Sequence, residues 1–439
     1  METADLLIEA RWIIPIEPEN TVLDDHAIVV RNKKIEAILP QPEARSKYDA
    51  KRTIRLGSHH VLLPGFVNTH THSAMSLLRG IADDLPLMDW LKEHVWPVEG
   101  KWVSENFVRD GTELAVLEML RGGTTCFNDM YFYPGEAGRV ADAAGLRCTL
   151  GMVVIEFPTA WAKDTKEYFQ RGLEVHDEFR NHPRIHTALA PHAPYTVSDD
   201  SFRRISTLAE ELDIQIHTHL HESEDEVIEG IAQYGMRPFE RLDRLGLMSP
   251  RLITVHMTQL EEREMERLAE CGAHVVHCAE SNLKIACGIA PIKGLLEKGV
   301  NVAIGTDGAA SNNDLDMIQE LRSAALLAKG ISGDPTAVPA YRALEMATLG
   351  GARAIAREHE IGSLAPGKAA DIIAVDLGAA ETRPVYNPIS QVAYAASRRQ
   401  VSHVWVEGKA LLEEGEPSTL DEQAILEKAD RWQRKIASS

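Results

Sequence analysis

The side chains best suited to do chemistry in this chain are His70 and His72, the run His217-Thr218-His219-Leu220-His221-Glu222, His256 and Asp307. Each closes a short apolar stretch: Val61 to Asn68 leads to the first pair, Asp213 to Ile216 to the second cluster, Leu252 to Val255 to His256, and Asn301 to Thr306 to Asp307. Polar groups at successive strand ends can converge on one ion and one reaction. Residues two apart on a strand face the same way, so His70 and His72 point to one side. Neutral imidazole is a favoured ligand for zinc, and the spacing differs from the HExxH pattern on a helix. A single histidine here would read as a hydrogen-bonded core residue. A pair at spacing two reads as a metal site.

His217, His219 and His221 share one strand face and cannot all be ligands. His219 has the stronger claim. It stands at the strand end with Glu222 three residues on, where the chain can turn a carboxylate back over the metal. His217 lies one layer deeper and reads as a buried, hydrogen-bonded side chain that supports a ligand; His221 is open. Asp307, just before Gly308, could cap a turn. It could equally complete the site, because three imidazoles need an anionic oxygen beside them and an activated water needs a proton acceptor.

Such residues need a scaffold that brings distant strand ends together. Runs of strand character recur at 61–68, 123–128, 147–154, 185–190, then before His219 and His256, at 274–277 and before Asp307. Between them lie amphipathic stretches such as Ser201–Glu211 and Leu260–Cys271, the second ending at Gly272 in a helix C-cap position. Eight strand–helix units with polar residues at the strand C-terminal ends predict a (β/α)8 TIM barrel over 61–361, with its active site at that face. In a doubly wound sheet the same residues would spread along an edge. The chain ends differ. Ala27–Val30, Lys34–Ile38, Asp371–Val375 and His403–Lys409 are short strands parted by Gly, Pro and charge, which predicts one small β-sandwich from 1–60 and 362–420. A helix is expected within 421–439.

At 439 residues and 44% hydrophobic content, the chain can bury a large core. No apolar run approaches the roughly 18 to 20 residues of a membrane span. Its start, Met1-Glu2-Thr3-Ala4-Asp5, lacks a signal-peptide core, and five cysteines without a CxxC pair suit a reducing, cytoplasmic setting. A net charge of −20 argues against nucleic acid or an anionic membrane as partner.

The stretch Pro64-Gly65-Phe66-Val67-Asn68-Thr69-His70-Thr71-His72, the segment His219-Leu220-His221-Glu222, His256, and Gly305-Thr306-Asp307-Gly308-Ala309-Ala310-Ser311-Asn312-Asn313 resemble the amidohydrolase superfamily. Within it they look like the 5′-methylthioadenosine/S-adenosylhomocysteine deaminase branch, which also holds triazine hydrolases. The resemblance runs through nearly the whole chain. It implies that His70, His72, His219 and Asp307 bind a single zinc, with iron or manganese as alternatives. No lysine ends the strand before Pro191-His192-Ala193-Pro194, so no second, bridged metal is implied. It also implies that Glu222 and His256 join Asp307 in catalysis, that His192 meets a purine ring nitrogen, and that Glu99 meets the ribose hydroxyls. From spacing alone, Glu99 would be an exposed carboxylate in a loop, and His192 a stiffener between prolines.

The chemistry so implied is attack of zinc-activated hydroxide at C6 of adenine, with Glu222 as a proton shuttle to N1. His256 and Asp307 would orient the nucleophile, and Asp307 would pass its proton to departing ammonia. The expected function is deamination of an adenosine-type nucleoside (5′-methylthioadenosine, S-adenosylhomocysteine or adenosine) by a homo-oligomer. The same mechanism on a guanine, pterin or s-triazine ring, with ammonia or chloride leaving, is the alternative. A catalytically silent scaffold is disfavoured because every ligand position is filled. For a charged amino-acid tail there is no clear carboxylate-binding arginine; Lys163 and Arg171 are the candidates.

Overall fold

The computed structural model describes residues 1–438. Eight parallel strands form one sheet: Phe66–Thr71, Thr124–Asp129, Arg147–Val154, Ile185–Pro191, Ile216–Leu220, Leu252–His256, His274–His277 and Asn301–Ile304. Each is hydrogen-bonded to its sequence neighbours. Strands one, two, three, five and six are buried at every position, as expected where both faces of a parallel sheet are covered.

The first and last strands meet, which closes the barrel. Asp307 N–H donates to the His70 carbonyl at 3.0 Å, Thr306 N–H to Asn68 Oδ1 at 3.0 Å, and Asn68 Nδ2 to Thr306 Oγ1 at 2.8 Å. Gly305 permits this approach, since a Cβ there would lie 2.7 Å from His70 N. The expected TIM barrel is the fold observed.

Helices between the strands start on side-chain caps, with Asp164, Ser198 and Ser223 accepting the backbone N–H of Glu167, Ser201 and Glu226. The helices read from sequence extend over Asp199–Leu212 and Glu262–Cys271, the latter entered through a Glu261/Glu264 capping box and left at Gly272 with φ of 71°.

One boundary differs from the sequence expectation. The run 61–68 is not a single strand: His60–Pro64 pairs antiparallel with Ile372–Asp376 and parallel with Glu2–Ile13, whereas Phe66–Thr71 opens the barrel. The chain changes sheets at Gly65, whose N–H goes to the Asp371 carbonyl while Phe66 N–H goes to that of Gly123. A Cβ at Gly65 would lie 2.1 Å from the Thr125 hydroxyl, so only glycine fits.

The termini together build a second, nine-stranded mixed sheet. Its strands share one core, in which Ile8, Ile28, Ile35, Leu62, Ile372 and Trp405 are buried together, so the two termini build one mixed sheet where a small sandwich was expected. His403–Lys409 is not one strand. Val401–Val406 and Lys409–Glu413 are antiparallel, joined by Glu407 and Gly408 with φ of 53° and 73°. The C-terminal helix spans Glu422–Ala437.

By contact density the chain resolves into two compact units. One comprises Met1–Val67, Leu117–Cys126 and Asp316–Leu420; the other comprises Asn68–Val116, Phe127–Leu315 and the segment from Asp421. Among the described residues no helix is long and apolar enough to cross a membrane.

Candidate active site

The strand ends bring the sequence-selected histidines to one point. Ligand atoms of His70, His72 and His219 lie within 4.8 Å of one another, as do those of His70, His256 and Asp307. Each imidazole is held through Nδ1. His72 Nδ1 donates to the Met130 carbonyl at 2.5 Å and His219 Nδ1 to that of His192 at 2.7 Å. His256 Nδ1 meets Asn282 Oδ1 at 2.7 Å, and His70 Nδ1 meets His217 Nε2 at 2.9 Å. A donor proton on Nδ1 leaves the Nε2 lone pair facing inward, which is the tautomer a metal ligand needs. His70 Nε2 and His256 Nε2 are buried and make no aligned hydrogen bond. Buried unpaired nitrogens are costly unless something else satisfies them.

Asp307 supplies the anionic oxygen. Its Oδ1 lies 3.3 Å from His70 Nε2 and 3.2 Å from His72 Nε2, while Oδ2 accepts from Ser281 Oγ at 2.6 Å and Ser311 Oγ at 2.8 Å. Burial opposes its ionisation, yet the two imidazoles hold its carboxyl well below the usual range. Burial pushes His70 down to about 4, whereas His72 is raised against its own desolvation to about 9 by Asp307. The ionised Asp307 carboxylate favours a positive charge beside it. A divalent cation fits that demand and the donor set of imidazole nitrogens and one carboxylate.

Above the cluster lies a cavity of about 280 Å³ whose lining includes His72, His219, His256, Asp307 and Glu222. Glu222 Oε1 is 3.6 Å from His256 Nε2. Burial raises the Glu222 carboxyl, which makes its proton easier to hold beside the cluster. Glu99 and His192 also line this cavity. Glu99 is on a helix, Trp96–Trp102, and not in a loop; Pro97 suits its first turn. Desolvation pushes the Glu99 carboxyl up to about 7, although Tyr131 donates a 2.6 Å hydrogen bond to it. His192 Nδ1 contacts Thr196 Oγ1 at 3.0 Å, and burial lowers the imidazole to about 3, so it is neutral.

Comparison with known proteins accords with this geometry. The model of the amidohydrolase family matches residues 61–411. The chain belongs to the amidohydrolase family. It is 45% identical to a 5-methylthioadenosine/S-adenosylhomocysteine deaminase of Teredinibacter turnerae, over 99% of this chain and 98% of that protein. It is 52% identical to an adenosine deaminase from Xanthomonas campestris whose crystal structure has bound zinc, with a TM-score of 0.99 and full coverage of both chains. An atrazine chlorohydrolase from Arthrobacter aurescens, solved with zinc, is 25% identical with a TM-score of 0.90, covering 98% of this chain and 100% of that one.

Several residues of this amidohydrolase were not singled out by spacing. Asp129 accepts from Ser73 N–H at 2.7 Å and Thr71 Oγ1 at 2.9 Å, pinning the loop that carries His72. Ser281 and Asn282, on the short helix Ala279–Lys284, hold Asp307 and His256, Ser311 holds Asp307 from a turn, and Tyr131 holds Glu99. His217 supports His70 and lies 3.2 Å from Asn128 Nδ2. His221 faces away from the cluster: its Nε2 accepts from Phe239 N–H at 3.2 Å, and its Nδ1 is 3.8 Å from Glu264. His221, His256 and Asp307 all adopt left-handed φ, of 51°, 75° and 62°. Strain of this kind in residues with a Cβ collects where side chains must be aimed.

Proposed function

We propose that this amidohydrolase catalyses hydrolytic deamination of an adenosine-type nucleoside carrying a 5′ thioether, giving the inosine analogue and ammonia. The observation that carries the proposal is the meeting of two overlapping ligand sets with Glu222 and His256 in one cavity that also holds Glu99. His70, His72, His219 and Asp307 would hold a single divalent ion, zinc or in its place iron or manganese. When bound, such an ion supplies Lewis acidity that lowers the pKa of water to about 7.

The chain's own groups would then move the protons. Glu222 receives one from the attacking water and delivers it to ring N1, because the ring must accept electrons before its amine can leave. His256 Nε2, its lone pair fixed by Asn282, orients the oxygen that adds at C6. Asp307 takes the remaining hydroxyl proton and passes it to departing ammonia. Neutral His192 contacts a purine ring nitrogen, and Glu99, braced by Tyr131, accepts from the ribose hydroxyls. A carboxylate at that position favours a nucleoside over a bare base or triazine. Five cysteines with no CxxC pair accord with a reducing, cytoplasmic location.

Ammonia release from adenosine and 5′-methylthioadenosine by zinc-loaded protein tests the assignment. Glu222→Gln should keep its metal and lose about 100-fold or more in kcat. Near-normal turnover in that variant would refute the shuttle.

A further inference from the structure

The relatives' name joins two nucleosides that differ only beyond the 5′ sulfur: one ends in methyl, the other in a zwitterionic amino acid. We infer that this cavity selects the uncharged, apolar 5′ substituent and discriminates against the zwitterionic tail. The inference rests on the deaminase assignment above and narrows its substrate.

The cavity lining divides into a polar set and an apolar set. The polar set holds the histidine cluster, Asp307 and Glu222, where the purine ring must react. Glu99, on the helix Trp96–Trp102, would take the ribose, and the residues three and four positions before it share its side of the chain's helical path. These are Trp96 and Val95, both in the cavity wall. Phe157, from the loop after barrel strand three, meets Trp96 with ring centroids 6.2 Å apart. Leu91 and Pro158 extend the same apolar surface. A 5′ group on a ribose held by Glu99 therefore runs along aromatic and aliphatic side chains, which favour a thioether sulfur and its methyl.

A carboxylate on that path finds no partner. None of the lining residues is lysine or arginine, and the ionisable ones are glutamate, aspartate, histidine and tyrosine. Two cations outside the lining are engaged by other groups. Arg171 pairs with Glu167 at 2.7 Å and lies over the Trp161 ring. Lys284 pairs with Asp83 at 2.6 Å and also donates to Asn313 Oδ1. Lys163, the other candidate from sequence, is exposed and is not among the lining residues. Desolvating both charges of a zwitterion against apolar walls, with no cation to pair the carboxylate, is costly.

The test is steady-state ammonia release by the zinc-loaded full chain on four nucleosides with the same ring: 5′-methylthioadenosine, adenosine, 5′-butylthioadenosine and S-adenosylhomocysteine. The butyl compound matches the amino-acid tail in reach but carries no charge. Expected is a kcat/KM for the butyl compound within about tenfold of the methyl one, and for S-adenosylhomocysteine lower by about 100-fold or more. Phe157→Arg, a change at a part-exposed position, should raise the S-adenosylhomocysteine to methylthioadenosine ratio about tenfold. A wild-type ratio within about threefold of unity would overturn the inference and leave the deaminase assignment standing. Equal loss of both long-tailed compounds would overturn it too, by making length the discriminant. Release of ammonia from none of the four would remove the assignment and the inference together.

Discussion

The barrel mouth and the terminal sheet both contain residues with left-handed φ, but to different ends. In the terminal sheet Asn32, Lys33, Glu407 and Glu414 sit at hairpin turns, where positive φ lets adjacent strands reverse. At the barrel mouth His221, His256 and Asp307 sit at or just past strand ends, and the strain aims side chains. Polar groups divide the same way. The sheet buries Ile8, Ile28, Leu62 and Trp405, and ion pairs such as Arg52 with Glu413 and Lys33 with Glu407 reach its solvent-exposed surface. The mouth buries His70, His217, His256 and Asp307 and leaves some nitrogens unpaired. One region spends its polar groups on register; the other concentrates them on a single point. Substitutions in the mouth should therefore change chemistry more than stability, and substitutions in the sheet the reverse.

The largest expected effect is that of Asp307→Ala. It removes the oxygen that lies near both His70 Nε2 and His72 Nε2, together with the acceptor of two serine hydroxyls. Metal content per chain, measured by plasma mass spectrometry after dialysis, should fall about tenfold or more, and activity should vanish with it. Full metal retention with activity lost would confine Asp307 to proton handling.

Next comes Asn282→Ala, which takes away the acceptor for His256 Nδ1. Metal content should hold while kcat falls by about 10- to 100-fold with KM little changed. Asn282→Asp, which can still accept, should recover part of the rate. A matched loss in Ala and Asp variants would mean that packing, and not the tautomer of His256, sets the rate.

The convergence of His70, His72, His219, His256 and Asp307 was legible because each ends an apolar run, and a closed barrel can bring such ends together. Asn282, Ser281, Ser311 and Asp129 were not legible. They lie on a short helix, in a turn and at a strand end, are of neutral or ordinary acidic type, and no periodicity ties a serine at 281 or 311 to an aspartate at 307. The helical setting of Glu99 was hidden by Pro97, which reads as a breaker yet is at ease in a first turn. The split at Gly65 was hidden by continuous apolar character: Val61 to Val67 has no alternation to mark where one sheet gives way to the next.

Glu99→Gln should be milder and should act on both terms of the comparison. Burial raises the Glu99 carboxyl from its ordinary 4.5 to about 7. A carboxyl whose folded-state value is raised costs stability as pH rises from the unfolded value through the folded one. Glutamine escapes that cost, so the variant should melt about 2–4 °C higher at pH 8 and show no gain at pH 4. Its KM for a nucleoside should rise about tenfold. A pH-independent melting difference would mean that Glu99 is not desolvated.

The smallest effect is expected in the terminal sheet, at Glu9. This buried carboxylate lies on the strand face of Leu7, opposite Ile8 and Ala10, and accepts two 2.7 Å hydrogen bonds from Arg45, with Arg55 at 3.3 Å. The Arg45 hydrogen bond lowers its pKa below the ordinary 4.5 against the opposing effect of burial. A depressed folded-state value gives stability that is present above about pH 4.5 and lost as pH falls through the folded value. Because Arg45 is half exposed and screened by solvent, the contribution is about 1 kcal/mol. Glu9→Gln should thus lower Tm by about 1–3 °C at pH 7, converge with the parent in acid, and leave kcat/KM untouched. A change in kcat/KM with no change in Tm would erase the division between a sheet whose polar groups hold register and a barrel mouth whose polar groups do chemistry.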